Sequence, residues 1–272
     1  MTPSLQTPPP TFHEEQSLWN SGHRLVAGLD EVGRGPIAGP VVAGVAILPQ
    51  RLEGDWAALV RDSKQLTAAQ REAVLPHLEE TAVGLAVGVG SVEEIDALGI
   101  MNATRLAMRR ALEALTVRPD FLLLDAFPLP GVATPQKAIV HGDALCLSIA
   151  AASIAAKVAR DRMMVELDGE YPGYGFASHK GYASSDHLAR LRELGPCAIH
   201  RFGFEPVRGF CASLGITPRP KLPSPLRGEG QDGGEDARGE VLHPHLSPPP
   251  SRGRKKQRPT HSPLQFPLLS DA

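Results

Sequence analysis

Ala27-Gly28-Leu29-Asp30-Glu31-Val32-Gly33-Arg34-Gly35-Pro36 takes in the end of the apolar run Leu25 to Leu29 and leads through a glycine-rich turn to a second apolar run, Val41 to Leu48. Both runs read as β-strands. Neighbouring side chains of a regular strand point to opposite faces, so Asp30 and Glu31 are expected to share one site only where the strand ends and the backbone bends. Gly33 and Gly35 permit such a bend. Having no side chain, they also let backbone N–H and C=O groups come close to a ligand. Taken alone, the pair of acids is equally a turn with two solvated carboxylates.

Working outward, strand and helix patterns alternate. Thr67-Ala68-Ala69-Gln70 and Ser91-Val92-Glu93-Glu94 carry the capping-box spacing and each opens a helix, with Ala82 to Val89 an apolar strand between them. Ala103 to Leu115 continues as an amphipathic helix. Asp120 to Leu124 is a short buried strand, Ala138 to Val140 a weaker one, and Ser148 to Leu167 a long helix rich in small residues. The expected fold class is α/β, with one mixed sheet flanked by helices and a helical C-terminal part.

Two further acids end apolar runs. Asp125 closes Phe121-Leu122-Leu123-Leu124, and Asp143 follows Ile139-Val140-His141-Gly142. Each is either a helix or turn cap or a functional group at a sheet edge. If sheet edges gather them with Asp30 and Glu31, four carboxylates repel one another and raise each other's pKa values unless cations neutralise them. An all-oxygen site with no Cys or His requirement suits Mg²⁺ better than zinc. Two such ions about 4 Å apart activate water and stabilise the leaving oxygen in an in-line displacement at phosphorus. His141 has no ligand set around it in the sequence and reads as a surface residue.

Composition bounds the rest. Of 272 residues, 42% are hydrophobic, which supports one substantial core, and the formal net charge is -2. From Ile216 onward, nine Lys/Arg face six Asp/Glu, leaving 19 against 24 in the body, so the body is acidic and needs cations to hold a polyanion. Residues 216-272 contain 11 Pro and 6 Gly without apolar periodicity and are expected to be disordered, including the basic run Arg252 to Arg258. Residues 1-20, with Pro3 and Pro8 to Pro10, are expected to be disordered too, which leaves 21-215 as the folded domain. Cys146, Cys197 and Cys211 make neither a disulfide framework nor a zinc pair. With neither a signal-like N-terminus nor an apolar run of about 18 residues, a soluble, cytoplasmic protein without membrane contact is expected.

Taken together, these residues resemble a known family. Ala27 to Pro36 is similar to the first signature of ribonuclease HII. Asp62-Ser63-Lys64-Gln65-Leu66, Leu124-Asp125-Ala126, Gly142-Asp143, Ser148 to Val158, Arg160-Asp161-Arg162 and His179-Lys180-Gly181-Tyr182 resemble its later segments in order, across roughly residues 24 to 209. The resemblance implies a ribonuclease H-like fold and an endonuclease that cuts the RNA of RNA-DNA hybrids and single ribonucleotides in duplex DNA. It implies Asp30, Glu31, Asp125 and Asp143 as ligands of Mg²⁺ or Mn²⁺, with Asp30 shared. It also implies Gly33, Arg34 and Gly35 around the ribonucleotide 2'-hydroxyl, the group that separates RNA from DNA. Tyr182 then stacks on the adjacent sugar, Ser63 and Lys64 contact phosphates, and the protein is a monomer.

Three places depart from the family pattern: His141 stands where lysine is common, Leu145-Cys146 replaces a basic and hydroxyl pair, and Phe202-Gly203 replaces Arg-Ser. Altered phosphate and substrate contacts are expected there. Ribonuclease HIII would usually bring an extra N-terminal domain, for which only about two dozen residues precede the first strand. A junction resolvase would have no need of the Gly33-Arg34-Gly35 and Tyr182 pairing. A non-catalytic nucleic-acid binder would lack one of the acids, and all four are present.

Overall fold

The computed structural model describes residues 8–217, which lie within one compact unit, Met1–Pro223. The expected disordered tail from 218 onward, its basic run and residues 1–7 lie outside the described residues. Five strands form one sheet: β1 (Val26–Val32), β2 (Val41–Ile47), β3 (Gly84–Gly90), β4 (Phe121–Asp125) and β5 (Gln136–Ile139), in the order β3-β2-β1-β4-β5. β1, β2 and β3 pair antiparallel, whereas β1 with β4 and β4 with β5 pair parallel. The mixed sheet is as expected.

Helices cover both faces. After α1 (His13–Asn20) come α2 (Ala68–Thr81), α3 (Val92–Leu98) and α4 (Ile100–Glu113), then α5 (Gly142–Leu145), α6 (Leu147–Glu170), α7 (Phe176–His179), α8 (Ser185–Leu194) and α9 (Val207–Ser213). Both predicted capping boxes are present, closing α2 at Thr67 and α3 at Ser91. α6 lies so close to β1 and β2 that a Cβ on Gly28 would fall 2.2 Å from the Ser148 carbonyl carbon, and one on Gly44 2.1 Å from the Ala152 oxygen. Its buried run of Ala and Ser permits that approach. On the opposite face Leu29, Val45, Ile47, Leu122 and Leu124 pack with Ala103, Ala107 and Met108 of α4 into the main core. Such burial, at about 25 cal/mol per Å² of apolar surface, is what holds the layers together.

Two expectations need correction. β1 does not end before the acids. It continues to Val32, with Asp30 opposite Gly44 and Glu31 opposite Ala43, so the two side chains start from opposite faces. β2 satisfies the peptide groups on one side, while pairing with β4 stops at Leu29↔Leu124 and leaves the other side open at the acids. The turn follows the acids, at Gly33, with φ 91°.

The N-terminal segment is the second correction, because His13–Asn20 is helical. Thr11 forms a parallel bridge with Cys146, and Leu18 and Trp19 pack on the cluster of Val26, Leu123 and Ile149. Glu15 is buried and accepts hydrogen bonds from the Ser148 N–H (2.9 Å) and hydroxyl (2.7 Å), capping the start of α6. Burial raises its pKa, and its second oxygen, Oε2, has no partner, so the anchor carries a cost of its own. Deleting residues 1-20 should nevertheless lower stability by about 2 kcal/mol or more, since it removes the apolar contacts and leaves Ser148 without its acceptor. Denaturant unfolding of the truncated chain checks this, and an unchanged midpoint would refute it.

Candidate active site

Asp30, on the α6 face, is 4% exposed, and the nearby Ser153 hydroxyl of α6 favours its charged form. Its Oδ1 also accepts from the Glu31 N–H at 2.7 Å. Burial, then Glu31, and more weakly Asp125 and Asp143, hold its pKa well above the usual carboxylate range. Glu31 accepts from Arg34 Nη1 at 3.0 Å through Oε1, while its Oε2 is buried with no partner. Burial raises its pKa too, against the lowering effect of Arg34.

Asp125 stands at the end of β4, where Ala126 turns the chain at φ 60°. Its Oδ1 accepts from the Gly142 N–H at 2.7 Å, which ties it to the segment bearing Asp143. Burial raises its pKa, opposed by that backbone bond and reinforced by Asp143. Asp143 lies in α5, 4% exposed, with Lys64 Nζ 2.9 Å from its Oδ2. Asp125 thus acts as a turn cap for Gly142 and, with Asp143, lies in one electrostatic neighbourhood with Asp30. Burial works against a charged Lys64, but the bond to Asp143 and the surrounding carboxylates outweigh it and raise its pKa.

The donors are therefore hard oxygens that are desolvated, mutually repelling and, at Glu31 Oε2, unpartnered. That chemistry fits a divalent cation. Among the described residues no three or more Asp, Glu, His or Cys side chains are placed so that they could hold a metal ion as they stand, so the fit lies in the chemistry of the donors and not in their present geometry. Lys64, with a side chain 74% exposed, reaches Asp143 from the solvent side, with Asp62 3.9 Å from its Nζ.

The expected substrate residues divide. Gly35 backs onto Tyr182, since a Cβ there would lie 3.8 Å from the ring's Cε1, and the ring is 47% exposed rather than packed in the core. Arg34 is folded back onto Glu31, with its guanidinium carbon 5.4 Å from the Phe127 ring centre. Ser63 is buried, and its hydroxyl accepts from that of Ser153 at 2.9 Å, so its side chain is turned inward toward α6.

At the departures, His141 adopts a left-handed conformation and is exposed, Leu145 is half exposed, and Cys146 is buried beside α1. The Phe202 and Gly203 N–H groups donate to Asp96.

Sequence reasoning missed two buried arginines. Arg201 donates from Nε to Gly39 O (2.9 Å), from Nη1 to Arg34 O (3.0 Å) and from Nη2 to Gly33 O (2.6 Å). Arg160 donates to the carbonyls of Pro40, Lys180 and Ala38. Burial pushes their pKa values down, Arg201 to about 9 and Arg160 to about 10, so both remain cationic at neutral pH. They hold the Gly33–Pro40 backbone from beneath. A Cβ on Gly33 would fall 2.2 Å from Arg160 Nε, so the glycine is needed for contact as well as for its φ. Arginine inside a family motif was the available signal.

Known proteins agree with the motif reading. The ribonuclease HII family model matches residues 27–207. Ribonuclease HII of Dehalococcoides mccartyi is 54% identical over 201 residues, 74% of this chain and 95% of that protein. Ribonuclease HII of Myxococcus xanthus is 52% identical over 218 residues, 79% of this chain and 71% of that protein. Among solved structures, the ribonuclease H2 from Pyrococcus horikoshii OT3 superposes with a TM-score of 0.59 at 28% identity, covering 71% of this chain and 100% of that one. Bst-RNase HIII in complex with Mn²⁺ shares the fold, with a TM-score of 0.55 at 21% identity over 71% of this chain and 70% of that one. The chain belongs to the ribonuclease HII family and is a ribonuclease H enzyme.

Proposed function

We propose that this enzyme hydrolyses the RNA strand of RNA-DNA hybrids and incises on the 5' side of single ribonucleotides in duplex DNA, leaving 3'-hydroxyl and 5'-phosphate ends. The observation that carries the mechanism is the cluster of carboxylates beside the sheet, with Asp30 and Asp143 buried and Glu31 and Asp125 half-buried, in which desolvation and neighbouring acids raise the pKa values of Asp30, Glu31 and Asp125. These four would hold Mg²⁺ or Mn²⁺, Asp30 centrally, and two such ions supply Lewis-acid activation of water and of the leaving oxygen.

The chain's own side chains do the rest. The Glu31 N–H orients Asp30, and the Gly142 N–H orients Asp125. Lys64 balances Asp143 and is placed to meet a phosphate once it lets go. The exposed Tyr182 ring beside Gly35 walls a slot in which the Gly33–Gly35 backbone meets the 2'-hydroxyl and the ring stacks on the neighbouring sugar. Among the described residues no helix is long and apolar enough to cross a membrane, and a cytoplasmic site of action goes with this substrate.

The test is incubation with a duplex bearing one ribonucleotide, a continuous hybrid and an all-DNA duplex, each with and without chelator. Cleavage of the first two alone, abolished by chelator, is expected, and cleavage of all-DNA duplex would contradict the reading. On the single-ribonucleotide duplex, Tyr182→Ala should lose about ten- to a hundredfold in cleavage rate and Tyr182→Phe little, because stacking on an aromatic is worth about 1–3 kcal/mol. A folded Tyr182→Ala with full per-molecule activity would remove Tyr182 from recognition.

A further inference from the structure

Behind Tyr182 lies a group of imidazoles that takes no part in the chemistry above. His187 of α8 and His200 are both fully buried, and their Nε2 atoms stand 3.1 Å apart. His187 Nδ1 is 2.8 Å from the Tyr182 carbonyl oxygen, and His200 Nδ1 is 3.0 Å from the Cys197 N–H. A peptide N–H can only donate and a carbonyl can only accept, so the two ends set the direction of the whole chain. Cys197 N–H donates to His200 Nδ1, the His200 proton therefore sits on Nε2 and is donated to His187 Nε2, and the His187 proton sits on Nδ1 and is donated to Tyr182 O. An added proton on either ring would place two donors face to face. Burial pushes His187 down to about 4 and His200 to about 3, in keeping with two neutral rings.

The chain joins the two sides of the slot. His200 pairs through its backbone with Ala38, just beyond the Gly33–Gly35 turn, and Arg201 N–H donates to Ile37 O. Gly181 O accepts from the Ile37 N–H at 2.9 Å, and a Cβ on Gly181 would fall 2.3 Å from Ala38 O. His179 stacks on His187 with ring centres 4.1 Å apart and accepts the Gly181 N–H at Nδ1. Lys180, at φ 52°, is held in its left-handed conformation within this frame.

We propose that His187 and His200 are positioning residues that set the backbone of Tyr182 against the Gly33–Gly35 turn, through a one-way hydrogen-bond chain of fixed tautomers, and so set the fit of the slot to a ribonucleotide. The inference rests on the reading of Tyr182 as the stacking residue. His187→Leu removes the bond to Tyr182 O, whereas His187→Asn keeps a donor near the Nδ1 position. On the single-ribonucleotide duplex, His187→Leu should lose about tenfold in kcat/KM, mostly through KM, and His187→Asn should recover most of it. Because the effect passes through Tyr182, the double variant His187→Leu/Tyr182→Ala should be no worse than Tyr182→Ala alone.

Multiplied losses in the double variant would overturn the proposal, as would a fully active His187→Leu. If Tyr182→Ala itself has no effect, the reading of Tyr182 fails instead. The unaltered full-length protein supplies an independent check that holds even if the variants do not fold. Long-range ¹H–¹⁵N correlation through the ring carbons should show the proton on Nδ1 of His187 and on Nε2 of His200. The opposite tautomer on either ring would sink the chain.

Discussion

Asp30→Asn, Asp125→Asn and Asp143→Asn should each lower turnover by roughly a hundredfold or more at saturating Mg²⁺, while leaving the fold intact and hybrid binding largely preserved. On the proposed reading, each change removes a charged metal ligand with almost no change in side-chain volume. The stability half of the expectation is the sharper one. A carboxylate whose pKa is raised in the folded state is harder to ionise there than in the unfolded chain, so at neutral pH its charge works against folding. Asp30 is in that position because burial, Glu31 and the other acids all oppose its charge. Asp30→Asn should therefore melt at or above the temperature of the unaltered protein in the absence of divalent ions. A clear loss of stability would mean that the hydrogen bond from the Glu31 N–H outweighs the cost of burying the charge, and a near-normal rate would remove the residue from the site.

Arg201→Met should be the most destabilising single change near the site. It leaves the carbonyls of Gly33, Arg34 and Gly39 buried without these donors, and each such group is worth about 1–3 kcal/mol. A loss of at least about 3 kcal/mol in denaturant unfolding is expected, with cleavage falling in step as the turn loosens. Arg201→Lys should not rescue it, because a single ammonium cannot reproduce the fork that reaches the carbonyls of Gly33, Arg34, Gly39 and Pro40 at once. A loss under about 1 kcal/mol would show that the turn holds itself through Arg160 and its own glycines.

The parts of the molecule legible in the sequence are those with local causes. Thr67 with Gln70 and Ser91 with Glu94 start helices because both partners of each cap lie within four residues. The acids stood out in the sequence because each follows an apolar run, and the parallel pairing of β1, β4 and β5 puts Asp30, Asp125 and Asp143 within electrostatic reach of one another. What escaped depends on distant partners. β1 runs on through Asp30 and Glu31 only because β2 returns to pair with it. Glu15 is buried only because Ser148, far along the chain, lies beneath it. Ser63 turns inward because the Ser153 hydroxyl donates to its own. Arg160 and Arg201 look like surface charges until the carbonyls of the Gly33–Pro40 turn, which no pattern shows, surround them.

The central claim, that the four carboxylates direct water at phosphorus, is tested most directly by the ends of the cleaved strand. On a duplex with one ribonucleotide, mass spectrometry of the products should find a 3'-hydroxyl on the upstream fragment and a 5'-phosphate on the fragment that begins with the ribonucleotide. A 2',3'-cyclic phosphate would mean that the ribose hydroxyl was the nucleophile, and it would contradict the account.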